Sequence, residues 1–144
     1  MLNIGNGDIK LLTNTIINKS FTEKKLQLDE IYKMINRSYT INEWRYYTFK
    51  LVSINNLDLV IKLVYNDTNL EMCSLKHYGS FEEIPYCSEN EIKRLHIHNH
   101  WLENMLGKPS ESEDWGIKYK FQWGEVSSVY SPQTPESAIF IKWL

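Results

Sequence analysis

The chain has 144 residues, of which 42% are hydrophobic and 13% aromatic, enough for a real core and too much for a disordered chain. Sixteen lysine and arginine residues against eighteen aspartate and glutamate residues give a net charge of −2. This near-neutral balance argues against a dedicated nucleic-acid-binding module, which normally carries a strong basic excess.

The first quarter of the chain predicts a short extended preface and a helix. Two apolar runs, 9–12 and 15–17, predict a small hairpin or extended lead-in. The run from Ser20 to Glu23 has the pattern of a capping box, in which serine and glutamate satisfy free amides of a first helical turn. Apolar residues then recur at helical spacing, so we expect the first helix to span residues 21–36.

The second quarter predicts a three-stranded antiparallel meander after a polar connector. Its strands are rich in tyrosine, phenylalanine, threonine and valine, the composition of half-buried sheet. Asn55-Asn56 tolerates the positive φ of a tight hairpin turn, and residues 66–69 predict a second turn. We expect the three strands at residues 45–54, 57–65 and 70–75, followed by a loop at residues 76–87.

A second helix is predicted after this loop. Ser88 to Glu91 forms another capping-box pattern, and Gly107 is placed as the left-handed C-cap, with Pro109 preventing continuation. The apolar positions predict the side that packs on the core: Ile92, Leu95, Leu102 and Leu106, broadened by Ile97, Trp101 and Met105.

The last thirty residues predict a second meander. A polar, acidic loop at 110–114 precedes it, and alternating apolar and polar residues then indicate strands with one buried face. We expect these strands at 117–123, 126–130 and 139–143, with a proline-bounded loop at 132–135.

These elements predict an α+β fold in which two helices pack on antiparallel β-meander sheets, in the order (ββ)-α-βββ-α-βββ. We expect residues 1–144 to form a single domain, with two α-βββ halves at about 20–76 and 88–144 sharing one core as its internal arrangement. Whether the meanders form one sheet or two is left open by the pattern.

The lack of a recognisable targeting signal predicts a cytoplasmic protein. The N-terminus has no basic region followed by an apolar run, and Asp58, Lys62 and Asn66 interrupt the longest apolar stretches, so no membrane segment is expected. Cys73 and Cys87, without metal-ligand spacing, indicate reduced thiols, and a disulfide between them is the alternative.

The most conspicuous chemical motif is His96-Ile97-His98-Asn99-His100. On a helix, His96 and His100 share a face while His98 turns away. The face of His96 and His100 also carries polar residues, which predicts that it is solvated. A metal site would need a third ligand and supporting residues, so no metal or cofactor is expected. A small metal-binding protein or enzyme that uses these histidines is the alternative.

Other catalytic patterns have less support. Cys87 precedes a helix start, which lowers thiol pKa values, but a nucleophile also needs a histidine and an orienting group. The chain carries no phosphate-cradling glycine loop, dinucleotide fingerprint or GxSxG elbow, so a small-molecule substrate is not expected.

Acidic and aromatic residues suggest a protein partner instead. Acidic side chains in the loops that flank helix two can face a basic partner, and tyrosine and tryptophan are common anchors of interfaces. The acidic candidates for partner binding are Glu82, Glu83, Glu111, Glu113 and Asp114.

The C-terminal third contains the segments Trp101-Leu102, Leu106 to Pro109, Tyr119 to Gly124, Ser127 to Pro132 and Ser137 to Ile141. Through these segments it resembles small bacterial immunity proteins encoded beside polymorphic or contact-dependent toxins. Where such families often have aspartate before the turn proline, this chain has Ser131. The resemblance implies a cytosolic, non-catalytic protein that binds and blocks one cognate toxin, and it transfers no catalytic residue. A self-associating structural domain is a further alternative.

Overall fold

The computed structural model describes residues 1–11, 13–78 and 88–144, without the side chains of residues 50 and 51. The fold is α+β, as the sequence predicts. In chain order the elements are β1 (Ile9–Lys10), β2 (Ile16–Ile17), α1 (Glu23–Leu28), a 3-10 helix (Glu30–Met34), β3 (Ile35–Ile41), β4 (Trp44–Ile54), β5 (Leu57–Asn66), β6 (Asn69–His77), α2 (Ser88–Leu106), β7 (Glu111–Glu113), β8 (Gly116–Phe121), β9 (Gly124–Ser131) and β10 (Glu136–Trp143).

Strands β3 to β10 form one eight-stranded antiparallel sheet, in the order β3-β4-β5-β6-β10-β9-β8-β7. Each half of the chain therefore contributes four strands, and the halves join where β6 pairs with β10. The alternating pattern at residues 139–143 belongs to β10, which lies at the centre of the sheet. Strands β1 and β2 pair separately, which confirms the predicted N-terminal hairpin.

The turns of the first meander follow the predicted chemistry. Asn55 and Asn56 have φ values of 47° and 64°, as a tight hairpin with two left-handed positions requires. Asp67 in the next turn has φ 58°, and Asn42 in the β3–β4 turn has φ 55°. Short polar side chains tolerate this conformation, so each turn forms without a glycine.

The predicted first helix is wrong in its start and its length. Thr22, and not Ser20, caps the helix by accepting from the Lys25 amide at 3.3 Å, while the Ser20 hydroxyl donates to Asn18. The helix ends at Leu28 because Asp29 is extended (φ −85°, ψ 151°) and its carboxylate caps the following 3-10 helix at the Ile31 amide.

Two strands lie where the sequence predicts no strand. The end of the predicted helix and the polar connector form β3, which pairs with β4 along most of its length. The predicted acidic loop contains β7, which pairs with β8. Both strands lie at edges of the sheet, where side chains remain in water and the apolar alternation used for prediction is not required.

The core lies on one face of the sheet, where α2 packs against β6, β8, β9 and β10. Two rows of buried side chains cross the strands on this face. One row consists of Leu63, Cys73, Ile141, Val126 and Tyr119, and the other of Phe49, Ile61, Leu75, Ile139, Ser128 and Ile117.

The second helix is confirmed over residues 88–106, and Gly107 follows it with φ 81°. Leu95 and Leu102 are buried as predicted, whereas Ile92 is 38% exposed. Within the described ranges, neither this helix nor any other has the length and hydropathy required of a membrane span.

Candidate functional site

Among the described residues, the N-terminal elements lie on the same face of the sheet as α2. The Glu23 carboxylate accepts from the Tyr47 hydroxyl at 3.0 Å, and the Phe21 carbonyl accepts from the Tyr65 hydroxyl at 3.0 Å. The Trp143 indole donates to the Gly7 carbonyl at 3.0 Å. Because these sheet residues point to the α2 side, α2 and the N-terminal elements together cover this face over the six strands between the edge strands β3 and β7.

The opposite face, here called the open face, has no described helix packed on it. Its side chains are those that alternate with the buried rows, and most of them are exposed or half-buried. One row of paired residues crosses all eight strands of this face. In sheet order the row consists of Arg37, Thr48, Lys62, Ser74, Phe140, Ser127, Lys118 and Glu111.

The β3–β5 end of the open face is cationic and aromatic. Tyr39 and Tyr46 are cross-strand neighbours whose rings stack with centroids 4.6 Å apart, and the Arg37 guanidinium lies 5.2 Å from the Tyr39 ring centroid. Within the described part of the chain, neither Arg37 nor Lys62 has a carboxylate within ion-pair distance. This end therefore offers aromatic surface beside two positive charges.

The β7–β8 end carries three of the predicted partner-binding residues. Glu111 and Glu113 are exposed on β7 and point to the open face, and Asp114 follows in the turn. They therefore lie on and beside an edge strand, and not in the loop that the sequence predicts. Glu82 and Glu83 lie outside the described residues.

Lysines reduce the negative charge at this end. The Lys120 ammonium lies 2.5 Å from the Glu111 carboxylate, and this hydrogen bond lowers the pKa of Glu111. Lys118 lies opposite Glu111 in the register and 4.0 Å from Glu125. In the described part of the chain Glu113 has no ion pair, so it is the β7 carboxylate whose charge no neighbouring cation offsets.

A shallow depression of about 230 Å³ lies beside these carboxylates, lined by Glu111, Glu113, Gly116, Lys118 and Val129 among others. Gly116 is required here for a backbone reason. With φ 154°, a Cβ at this position would lie 1.9 Å from the carbonyl oxygen of Ser128. The close approach of β8 to β9 therefore leaves a gap in the side-chain layer of the open face.

The structure separates the three histidines of α2. His96 and His100 are exposed, as predicted, but His98 is fully buried against the sheet. Its Nε2 accepts from the His77 backbone N–H at 2.9 Å, so the neutral ring carries its proton on Nδ1. Burial, with the nearby charges of Arg94 and Lys76, lowers the pKa of His98 to about 3. Nε2 is occupied, so His98 cannot join the other two in one metal site through that atom.

Sequence reasoning placed His98 away from the solvated face but missed its burial and the buried polar cluster next to it. Glu91 is 6% exposed and its carboxylate lies 2.5 Å from Arg94, accepts from the Ser137 amide at 3.0 Å and lies 3.6 Å from Lys76. Glu91 thus ties α2 to β10. Helical spacing could have revealed both residues, because positions 91, 95, 98 and 102 share one face.

The described cysteine and aromatic residues singled out in the sequence lie mostly within or against the core. Cys73 is a free thiol, fully buried in the core, and burial raises its pKa well above the ordinary value. Cys87 lies outside the described residues. Of the aromatic side chains, Tyr130 is buried and Trp101, Trp123 and Trp143 are half-buried, whereas Trp44 and Trp115 are the exposed tryptophans.

Among the described residues, no group of three or more histidine, cysteine, aspartate or glutamate side chains is arranged to hold a metal ion. Comparison of the chain with known protein families, curated proteins and solved structures finds no match.

Proposed function

We propose that this chain is a small cytoplasmic binding protein of the immunity type, which binds and neutralises a cognate bacterial toxin. The observation that carries the proposal is the open face of the sheet. All described helices lie on the other face, so the fold presents a wide, regular surface with aromatic and charged side chains at its ends.

The composition of this surface suits a protein partner. Tyrosine, tryptophan and arginine are the usual energetic anchors of interfaces, and Tyr39, Tyr46 and Arg37 form one contiguous group. The centre of the face carries fewer charges and aromatic rings than its ends, with half-buried Phe140 and Val129 between serines. Such a centre tolerates close contact without carrying the apolar exposure that would cause aggregation.

The acidic end suits a basic toxin. Toxins that act on nucleic acids carry basic surfaces, and carboxylates on an inhibitor speed association and fix its orientation. Glu113 and Asp114 are the strongest candidates, because the charge of Glu111 is offset by its ion pair with Lys120. Nucleic acid as a direct ligand, a membrane and a small molecule are not part of this proposal.

The alternative based on helix-two histidines has weaker support. His96 and His100 are exposed on the solvent side of α2, and His98 points into the core with one nitrogen already bonded. A metal held by the exposed pair would need a further ligand from another element.

Protection of growing cells tests the proposal. The gene adjoining this one should encode a toxin, and its expression in a bacterial host should arrest growth unless the wild-type chain is co-expressed. A triple variant, Glu111→Lys, Glu113→Lys and Asp114→Lys, should associate at least about tenfold more slowly and protect less. Its melting temperature should barely change, because exposed charges contribute little to stability.

A matched control reverses two exposed charges on α2, Glu89→Lys and Glu103→Lys, which lie on the covered side of the sheet. This variant should protect as the wild type does. If the triple variant also protects fully, the acidic end is not the contact, and Arg37, Tyr39 and Tyr46 are tested next. If the wild-type chain gives no protection, or no toxin gene adjoins it, the immunity proposal fails.

A further inference from the structure

We infer that the open face also binds a second copy of this chain, forming a symmetric face-to-face dimer. The observation behind this inference is the order of charges along the row that crosses the sheet. The row begins with Arg37 on one edge strand and ends with Glu111 on the other. A surface with opposite charges at its two ends is self-complementary under a two-fold rotation.

The register fixes where the axis must lie. In the sheet order, the midline falls between β6 and β10, with four strands on each side. A two-fold axis along the strands at this midline places β3 over the partner copy's β7, and β6 over its β10. Residues of one row remain at one height, so the axis brings Arg37 of each copy opposite Glu111 of the other.

The centre of the face also fits this arrangement. Ser74 and Phe140 are direct neighbours in the row and flank the midline, so the rotation places each Phe140 over the other copy's Ser74. Large side chains thus meet small ones at the two central strands, as packed interfaces require. Phe140 is half-buried in the single chain and becomes fully covered in the dimer.

The area of the face is adequate. Eight strands at about 4.8 Å spacing span about 34 Å, and about six residues at 3.3 Å each give about 20 Å along the strands. The product, about 700 Å² per copy, is close to the about 800 Å² per partner of a standard specific interface. Twisted sheets pack face to face with nearly aligned strands, which the proposed axis allows.

Charge reversal with mixing tests the inference without any toxin. One variant, Arg37→Glu with Lys62→Glu, makes both ends acidic, and another, Glu111→Lys with Glu113→Lys, makes both ends basic. Sedimentation velocity on purified protein, from about 1 µM to about 1 mM, should show dimer for the wild type and a dimer dissociation constant at least about tenfold weaker for each variant. An equimolar mixture of the two variants should recover the dimer, because residue 37 of each copy again faces a residue 111 of opposite charge.

Circular dichroism of each variant verifies that it is folded, and Lys93→Glu with Glu103→Lys on exposed positions of α2 is the control that should dimerise as the wild type does. The inference is overturned if the wild type sediments as a monomer throughout this range. It is equally overturned if both variants dimerise as tightly as the wild type, or if their mixture stays monomeric. Each of these outcomes is independent of whether the chain protects cells from a toxin.

Discussion

At the scale of single residues, the polar cluster under α2 contributes most to what is specific about this structure. A buried carboxylate, a buried guanidinium and a buried imidazole lie within two turns of one helix, at Glu91, Arg94 and His98. Their partners come from β6 and β10, so the cluster fixes the helix at the junction between the two halves of the sheet. A buried polar group lowers stability unless it is hydrogen-bonded, so the loss of any one partner in this cluster should destabilise the fold.

Removal of the Glu91 side chain tests this contact. Glu91→Ala takes the carboxylate away from buried Arg94 and from the Ser137 amide. We expect a loss of about 3 kcal/mol in the free energy of unfolding, measured by urea denaturation, since breaking a buried ion pair costs about 3–5 kcal/mol. Glu89→Ala, exposed on the same helix, should change the stability by less than about 0.5 kcal/mol. Equal effects of the two variants would contradict the role of Glu91.

His98 predicts a pH dependence. Its pKa is about 3 in the folded chain against an ordinary value of 6.5, so the unfolded chain binds the proton more tightly between these values. Stability should therefore be unaffected by His98 above about pH 7 and should fall as the pH decreases below 6.5. The expected contribution is about 2 kcal/mol between pH 7 and pH 5.

His98→Gln is the matched variant for this measurement, because it keeps a hydrogen-bonding side chain that does not titrate. Urea unfolding at several pH values should show a shallower loss of stability on acidification for the variant than for the wild type. The neighbours Arg94, His77 and Lys76 are present in both proteins, so they do not account for the difference. Parallel pH profiles would show that His98 is not the group responsible.

At the scale of elements, the sequence predicts best where a strand has one buried and one wet face. Strands β8 and β10 are predicted from apolar–polar alternation, β4 and β5 from their composition and flanking turns, and the asparagine turns from their tolerance of positive φ. Strands β3 and β7 could not be found in this way, because edge strands contribute little to the core. The early end of α1 depends on one carboxylate, Asp29, that caps a new turn within an apolar periodicity still typical of helix.

Two glycines allow a direct comparison: Gly116, the first residue of β8, and Gly107, which follows the end of α2. Both have positive φ, but a Cβ at Gly116 would clash with the β9 backbone, whereas nothing lies within 4 Å of a Cβ at Gly107. Gly107→Ala should therefore cost about 1–2 kcal/mol, the price of the left-handed conformation alone. Gly116→Ala should cost clearly more, because strands β8 and β9 must also separate. Thermal unfolding of the two variants measures both losses of stability. A smaller loss for Gly116→Ala than for Gly107→Ala would contradict the close approach of Gly116 to the β9 backbone.

At the scale of the whole molecule, the two faces of the sheet differ in what packs on them. Helices and the N-terminal segment cover one face of the sheet, and the described chain leaves the other face to solvent. The sequence could indicate the class of fold and the presence of acidic candidates, but not which of them share a surface. That arrangement depends on the pairing of β6 with β10, a contact between distant parts of the chain that no local pattern encodes.

The most direct test of the immunity proposal is binding of the chain to the toxin that the adjoining gene is expected to encode. Calorimetric titration of the purified proteins should give a one-to-one complex with a dissociation constant of about 1 nM or tighter. Tyr39→Ala with Arg37→Ala on the open face should weaken it at least about tenfold, since aromatic and arginine anchors dominate interfaces. The α2 control, Glu89→Lys with Glu103→Lys, should leave it unchanged. No binding by the wild type, or a loss caused by the α2 control and not by the open-face variant, would contradict the account.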